Sequence, residues 1–424
     1  MKKLSKIIFT VTALVICTGA VIFCCAFSIG RERLPRGAYV NGVCVGGMSF
    51  SKAKSVLRGG VLDNLKTKRL RICADERVYS YSYPEIDFSD DLDTLLPQIK
   101  RGGEFVCPVR YYLNGAEEIA DGLCAQINCD PTEPYAAFNL SGEPFTYYDG
   151  ADGAACDKGK LLEDISASLN GDFVDVRICK RALKRKFSRA DVEERTKKLY
   201  SFTTYFDGDN ADRSANIRLA ARKINGTTVK SGETFSFNGT VGARTEENGF
   251  RPAKIIENGK FVLGYGGGVC QVSTTLYNAV VLSGLSVEEY HPHSLKVSYV
   301  PPSRDAMVSG SYFDLKFKNT RLTPIYVRMS CNLSSITCTI YGQPDGYEYA
   351  FSSVVTGTLP RPQAVTVEGD EDKILSYGKE GLKSSGYLLK TRGGDTVSEL
   401  LRKDEYAAVA DVLQIKRKDG ESAA

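Results

Sequence analysis

The sequence predicts an α+β protein with an N-terminal transmembrane helix, tandem small α+β units, a larger α+β domain and a small all-β C-terminal appendage. Three observations support this fold class. An uncharged run covers residues 7–29. Short alternating stretches between glycine-rich turns recur along the chain, as strands do. Helical patterns lie singly between them, and 424 residues leave room for two to four domains.

The N-terminal segment determines the compartment. Three lysines precede the uncharged run over residues 7–29, which is long enough to cross a bilayer. A large domain after such a segment tends to be translocated. We therefore expect residues 1–30 to be a signal-anchor, giving a single-pass protein of the cell membrane with its body extracytoplasmic, on the cell-wall side. A cleaved signal peptide is the alternative, because Ala26 and Ser28 have the spacing of a cleavage site.

Two similar layouts follow, near residues 31–110 and 111–195. In the first, Ser49 caps a helix between alternating stretches. In the second, a helical pattern over residues 158–169 precedes an alternating stretch over 173–179. The simplest interpretation is two small α+β units in tandem.

Residues 196–345 predict an α+β domain with one central helix on a mostly antiparallel sheet. An amphipathic helix is indicated over residues 214–224, and Asn258-Gly259 is typical of a hairpin turn. The central helix follows a glycine triplet at 266–268. The strands predicted after it cover residues 287–290, 295–300, 313–318, 325–330 and 336–341. From residue 346 to 424 the chain becomes more polar and alternates, which predicts the all-β appendage.

Composition excludes several classes of partner. The chain has 55 basic and 51 acidic residues and no nucleic-acid-binding motif, so we expect no nucleic acid partner. The glycine triplet lacks both the lysine of a P-loop and the spacing of a dinucleotide fingerprint, so we expect no nucleotide and no cofactor. Thirteen cysteines are present, of which ten lie outside the apolar segment. Two pairings, Cys331–Cys338 across a hairpin and Cys124–Cys129, stay open without geometry.

Cys270 is the residue around which a catalytic site is predicted. It follows three glycines and begins an apolar helical pattern, so it lies where the helix macrodipole lowers the pKa of a thiol. The two histidines of the chain, His291 and His293, come next, and Asp305 follows. This order predicts Cys270 as nucleophile, His293 as base and Asp305 as the orienting acid, with His291 as the alternative base.

Other interpretations of the same residues stay open. Cys270 could be a small buried residue at a tight turn, with Arg304 and Asp305 forming an ion pair. Zinc bound by Cys270, His291 and His293 is too weak a pattern, and no metal site is predicted. The residues predicted to bind a ligand are Gly267, Gly268, Gln271, Thr274 and Arg304.

A set of short segments spread over residues 200–342 carries a recognisable pattern. They are Arg213, Asn216 and Ile217; Phe235-Ser236-Phe237-Asn238; the run from Gly266 to Val280; His293-Ser294; Val297 to Pro301; Arg304-Asp305-Ala306; and Asp314 to Asn319. Together they resemble the VanW family, exported envelope proteins of Gram-positive bacteria named from vancomycin-resistance clusters. Residues 31–195 are similar in placement to the YoaR-like domain, to which peptidoglycan binding is ascribed, and residues 346–424 resemble the G-five domain of cell-wall proteins.

The resemblance implies a membrane-anchored, extracytoplasmic envelope protein that binds peptidoglycan or another cell-wall polymer. We expect such a protein to be non-catalytic and to serve cell-wall maintenance or the response to glycopeptide antibiotics. The alternative is a cysteine-dependent peptidoglycan amidase or transpeptidase with Cys270 as nucleophile, arranged as in papain-like or transglutaminase-like enzymes. A Cys270 sulfur that lies within hydrogen-bonding reach of an imidazole and opens onto a groove favours the enzyme, and a sulfur enclosed by Leu276 and strand side chains favours the binder.

Overall fold

The computed structural model describes residues 33–257, 260–310 and 312–416. The membrane anchor expected over residues 1–30 and the turn expected at Asn258-Gly259 lie outside these ranges. Within them, no helix is both long and apolar enough to cross a membrane. The chain divides into two compact units, one formed by the chain up to residue 132 with residues 151–185, the other by residues 133–150 with the chain from residue 186 onward.

Helices and strands alternate throughout the described ranges, which confirms the mixed α/β content. The helices are α1 Phe50–Leu65, α2 Leu92–Leu95, α3 Ala116–Ile127, α4 Lys158–Leu169, α5 Arg189–Glu194, α6 Ala211–Ile224, α7 Phe237–Val241 and α8 Val269–Leu282. The strands are β1 Ala38–Val40, β2 Val43–Cys44, β3 Leu70–Ala74, β4 Arg77–Tyr81, β5 Ile86–Asp90, β6 Gly103–Phe105, β7 Val109–Leu113, β8 Tyr135–Phe138, β9 Phe145–Tyr148, β10 Gly153–Cys156, β11 Val176–Arg177, β12 Lys180–Leu183, β13 Lys197–Tyr205, β14 Thr227–Val229, β15 Thr234–Ser236, β16 Pro252–Glu257, β17 Lys260–Tyr265, β18 Ser286–Glu289, β19 Lys316–Lys318, β20 Ile325–Cys331, β21 Ser335–Gly342, β22 Glu348–Leu359, β23 Val365–Gly369, β24 Lys373–Ser376, β25 Gly381–Arg392, β26 Asp395–Tyr406 and β27 Val412–Lys416.

The first unit contains two hydrophobic cores. The smaller one packs α1 against β1, and Ser49 caps α1 as predicted, accepting a hydrogen bond from the Lys52 amide. The larger one combines Ile72 of β3 with Leu161 of α4, and β3 pairs in parallel with β11. The larger core therefore contains residues from both sides of residue 110, where the two predicted α+β units meet. The predicted domain ranges stay predictions.

Cysteine pairing in the first unit differs from the pair considered above. Cys124 of α3 forms a disulfide with Cys156 of β10, and Cys129 is free. Both partners lie at the larger core, where α3 packs against β10. Proximity along the chain did not identify this bond, because the tertiary structure brings together residues that are 32 positions apart.

The second unit is built on an antiparallel sheet in the order β13-β21-β20-β14. Helix α8 packs on this sheet with Val272, Leu276 and Val280 in the core, and all of its residues except Cys270 are buried. A helix that is apolar on most sides is expected to be enclosed in this way. The hairpin β8–β9 belongs to the same unit, since Phe138 and Phe145 contact the rings of Tyr326 and Tyr341 on the sheet.

Two predicted details of the second unit differ in the structure, and a cysteine pairing that the sequence left open is not formed. Residues 295–300 form no strand and run as an irregular segment instead. The strands β20 and β21 pair with Cys331 opposite Ile336 and Cys338 opposite Met329, so the two cysteines do not face each other and both are free. The strands after residue 346 are not a separate appendage, because Phe351 and Leu388 belong to the same core as α8.

Candidate active site

The glycine triplet shapes the turn that starts α8. Gly266 and Gly268 have φ angles of +84° and +101°, which disfavour any residue with a Cβ. At Gly267 a Cβ would lie 2.7 Å from the carbonyl oxygen of Lys254. The close approach of β16 therefore requires glycine here, and the turn places Cys270 as the second residue of the helix.

Gly267→Ala is expected to lower the free energy of unfolding of the second unit by about 2 kcal/mol, because the methyl group overlaps backbone that cannot move freely. The measurement is alkylation of the buried thiol of Cys338 against urea, with Cys107 of the first unit as internal reference. Gly357→Ala is the matched control, since no atom lies within 4 Å of a Cβ there. Equal urea midpoints for the two variants would contradict this account of the turn.

An extended segment, residues 304–308, lies along α8 and is held by its polar side chains. Asn278 Nδ2 donates to the Arg304 carbonyl at 2.7 Å, Thr274 Oγ1 accepts from the Ala306 amide at 3.0 Å, and the Cys270 sulfur lies 3.3 Å from the Val308 carbonyl oxygen. Four helical residues rise about 6 Å and two extended residues about 6.6 Å, so the two periods match. This match fixes the position of Asp305 relative to the start of α8.

Asp305 and His293 form a buried pair beside the cysteine. Asp305 Oδ2 accepts hydrogen bonds from the backbone N–H of His293 and from its Nδ1, both at 2.7 Å. Only 5% of His293 and 1% of Asp305 is exposed. The imidazole also interacts with the Cys270 thiol, and because Nδ1 contacts Asp305, Nε2 is the nitrogen available to the sulfur. The structure thus brings together the three residues predicted as nucleophile, base and acid.

The electrostatics of this triad favour a thiolate–imidazolium pair. Burial raises the pKa of Cys270, but the hydrogen bond and charge of His293 outweigh it, so the thiol pKa lies below its usual value. Burial lowers the pKa of His293, while Asp305 and Cys270 raise it to about 9. Burial also opposes ionisation of Asp305, and the His293 contact holds its pKa below the usual range. A cysteine in this state is a nucleophile near neutral pH.

Strand β26 supplies contacts to the triad that the sequence analysis did not identify. The Tyr406 hydroxyl donates to Asp305 Oδ1 at 2.5 Å, and Arg402 Nη1 donates to the Asp305 carbonyl at 2.6 Å. Arg402 also binds both carboxylate oxygens of Asp404 at 2.7 and 3.0 Å. Asp305 is therefore held in place from a strand about 100 residues further along the chain. The signal available in the sequence was the alternation Arg402, Asp404, Tyr406, which places these side chains on one face of the strand.

His291, the alternative base, lies outside this network. Its Nε2 contacts Glu289 Oε1 at 3.0 Å, and its ring lies against Phe313 with centroids 4.6 Å apart. The backbone carbonyl of His291 accepts from the amide of Met307, in the segment 304–308, at 2.7 Å. In the described ranges, no group of three or more histidine, cysteine or acidic residues is arranged to hold a metal ion.

The residues predicted to bind a ligand are engaged by protein groups here. The Gly267 carbonyl accepts from Asn216 Nδ2 at 3.1 Å, and Gln271 Nε2 donates to the Tyr205 carbonyl at 2.9 Å. Thr274 Oγ1 accepts from the Ala306 amide at 3.0 Å. Arg304 Nε donates to Asn278 Oδ1 at 2.8 Å rather than to Asp305. Their contacts stabilise the turn and the segment 304–308, and a ligand-binding role for them, as for Gly268, stays a prediction.

A cleft of about 350 Å³ lies elsewhere in the second unit. Residues lining it include Tyr200, Leu282, Arg321, Asp345 and Tyr349. An ion pair between Arg321 and Asp345 lies at its wall. None of the triad residues lines this cleft. Cys270, which is half-buried, therefore lies outside this cleft.

Comparison with known proteins identifies relatives of part of the chain. A family model described as "VanW like protein" matches residues 212–341. The "Uncharacterized protein YoaR" of Bacillus subtilis (strain 168) is 44% identical over 146 residues, which are 34% of this chain and 48% of that protein. The "Vancomycin B-type resistance protein VanW" of Enterococcus faecalis (strain ATCC 700802 / V583) is 32% identical over 127 residues, 28% of this chain and 46% of that protein. The chain thus spans about half the length of the curated relatives it matches.

Among solved structures, the crystal structure of HP0197-G5 is 19% identical and matches 16% of this chain and 96% of that chain. Its TM-score of 0.11 is too low for any argument about fold, so the G-five-like assignment of residues 346–424 stays a prediction. The triad residues, in contrast, all lie inside the matched range 212–341. The resemblance to the VanW family is confirmed for this part of the chain: residues 212–341 match the VanW-like family model, and two relatives are similar to this chain over segments of 127 and 146 residues.

Proposed function

We propose that the VanW-like domain is a cysteine-dependent acyl transferase that acts on peptides of the cell wall. The observation that carries the proposal is the buried His293, which lies between Asp305 at 2.7 Å and the thiol of Cys270. A cysteine that served only for packing would need no ionised partner. The sequence analysis favoured a non-catalytic binder, and peptidoglycan binding by residues 31–195 stays a separate prediction that is compatible with catalysis.

The geometry supports the following steps. The Cys270 thiolate attacks the carbonyl carbon of a peptide bond, forming a C–S bond while the oxygen gains negative charge. The amide of Cys270 has no acceptor within the helix, as the second residue of α8, and can donate to this oxygen. Nε2 of the His293 imidazolium gives its proton to the leaving nitrogen as the C–N bond breaks, which leaves a thioester. Asp305 keeps the imidazole oriented throughout.

The second half of the reaction reverses these roles. An amine or a water molecule attacks the thioester carbonyl, and neutral His293 accepts the proton from the attacking group. The C–S bond breaks and the thiolate–imidazolium pair is restored. An amine as acceptor gives transpeptidation, and water gives hydrolysis. The cell-wall peptide as substrate is supported by the relative named as a vancomycin-resistance protein and by the exported location that the sequence predicts.

A covalent intermediate on Cys270 tests this proposal. The full chain is incubated with soluble stem peptides released from peptidoglycan, and intact-protein mass spectrometry with peptide mapping locates the acyl group. We expect a thioester on Cys270, together with peptide products, in the unaltered protein and in Cys331→Ala, and neither in Cys270→Ala. Cys331 is the matched control because it is also a free, half-buried thiol of the same unit. Peptide binding without adduct or product in all three proteins would instead establish a binding scaffold.

A further inference from the structure

Two half-buried arginines pack on the glycine turn in front of Cys270. A Cβ on Gly268 would lie 2.9 Å from Cγ of Arg213, and a Cβ on Gly266 would lie 2.8 Å from Cβ and Cγ of Arg244. Both arginine stems therefore run directly against the backbone that delivers the cysteine to the helix. Both guanidinium groups also interact electrostatically with the thiolate of Cys270.

The bonds that these arginines make in the protein are to neutral oxygens. Arg213 Nη2 donates to Gln271 Oε1 at 2.8 Å, and Arg244 Nη2 donates to Asn238 Oδ1 at 2.5 Å. Among the described residues, no carboxylate lies within 4.0 Å of either guanidinium. Arg402, which is also buried near the triad, is in contrast bound to Asp404. Arg213 and Arg244 are thus held in position without a carboxylate of their own.

Their charge is not balanced locally. Burial lowers the pKa of both arginines, which reports the cost of keeping these cations away from water. The Cys270 thiolate is already paired with the His293 imidazolium, and it acts on the two guanidinium groups only through its charge. Asp207 acts on Arg213 and Asp314 acts on Arg244 only at longer range. Asp314 is already bound by the Ser236 hydroxyl at 2.6 Å and the Asn238 amide at 2.8 Å.

We propose that Arg213 and Arg244 form an anion subsite that binds a carboxylate of the substrate next to the carbonyl group attacked by Cys270. The inference rests on the proposed function for its substrate and names the class: peptides that carry a free carboxylate close to the scissile bond. The planar guanidinium fork matches a carboxylate with two parallel hydrogen bonds, and such charge-assisted bonds are about twice as strong as neutral ones. A peptide amidated at this position would lose these contacts.

Iodoacetate and iodoacetamide test the subsite directly, because they alkylate the same sulfur and differ in carrying a carboxylate or an amide. For the full chain and each variant, the rate constants for Cys270 with both reagents are measured at pH 7 by mass spectrometry. We expect the ratio of the iodoacetate to the iodoacetamide rate constant to fall about tenfold in Arg244→Met and in Arg213→Met. The ratio cancels changes in folding or in the thiol pKa, which affect both reagents alike. Arg251→Met is the matched control, since Arg251 is exposed and paired with Asp212 at 3.1 Å.

The outcomes separate this inference from the proposed function. Ratios in Arg213→Met and Arg244→Met equal to that of Arg251→Met would overturn the subsite, even if stem peptides form a thioester on Cys270. A tenfold fall would support it even if no peptide is turned over, in which case only the acyl transfer fails. In Arg244→Lys, a partial recovery of the ratio is expected, because lysine restores the charge without the fork. Loss of reactivity with both reagents in equal measure would count against carboxylate recognition.

Discussion

At pH 6, iodoacetamide is expected to alkylate Cys270 at least about tenfold faster than Cys331 in the same molecule. Burial raises the pKa of Cys331 to about 11, so on the order of one molecule in 10⁵ carries its thiolate at this pH. His293 lowers the pKa of Cys270 below its usual value, so its thiolate fraction at pH 6 exceeds that of Cys331 by more than about a hundredfold. A thiolate of lower pKa is the weaker nucleophile, which offsets about tenfold of this difference.

The histidine should control this reactivity. His293→Ala removes the imidazolium that lowers the pKa of Cys270, so the alkylation of Cys270 at pH 6 should slow at least about tenfold and rise only toward alkaline pH. In the unaltered protein the reactive pair should persist between the lowered pKa of the thiol and about pH 9, where His293 loses its proton. Asp305 stays ionised across this window, because its own pKa is lowered.

Mass spectrometry of each cysteine across pH 5–9 measures these rates. His291→Ala serves as the control, since His291 contacts Glu289 and not the sulfur. The triad would lose its support if Cys270 were no faster than Cys331, or reacted only after denaturation. Equal effects of His291→Ala and His293→Ala would contradict the assignment of the base.

The predictable part of the site was the part encoded by local signals. A glycine turn, a cysteine at a helix start and two histidines in one short stretch identify Cys270 and His293 from the chain alone. Asp305 followed from its order in the sequence. Each of these signals depends on helix geometry or on the rarity of a residue type, neither of which needs tertiary contacts.

The contacts of the polar residues of α8 could not be predicted from the sequence. Thr274 was among the residues predicted to bind a ligand, and that role stays a prediction. In the structure α8 is covered on the Thr274 side, and Ser273, Thr274 and Asn278 bind the backbone of residues 304–306. A sequence does not reveal that an extended segment lies along a helix. The contacts depend on the spacing of residues in both segments, and these are distant in the chain.

The strand prediction over residues 295–300 failed for a related reason. Alternation there is real, but Pro292 precedes the segment, and Pro301 and Pro302 follow it. Proline has no N–H group to donate to a sheet, so these prolines reduce the number of backbone hydrogen bonds that the segment could form with a neighbouring strand. Alternation shows that a segment can be extended, and only the fold decides whether a partner strand is available.

The contacts of β26 with the triad were likewise not identified from the sequence. A substitution in this strand has the second large expected effect. Arg402→Met should lower the free energy of unfolding of the second unit by about 3–5 kcal/mol. Arg402 is only 3% exposed, with no exposure of its side chain. Its guanidinium lies 4.3 Å from the Tyr290 ring centroid. Methionine fills part of this volume but leaves the buried carboxylate of Asp404 without its cation, and removes the donor to the carbonyl of Asp305.

The measurement is again the urea dependence of Cys338 alkylation, with Cys107 as the reference in the first unit. Lys403→Met is the matched control, because Lys403 neighbours Arg402 on β26 and is exposed, so its loss should change the stability by less than about 0.5 kcal/mol. Adding Asp404→Asn to Arg402→Met should recover part of the loss, since it removes the unpaired charge. If Arg402→Met and Lys403→Met behaved alike, β26 would not stabilise the domain that carries the triad. A large difference would mean that Asp305 is held by a strand beyond residue 341, and that residues 212–341 alone lack part of the structure around their own cysteine.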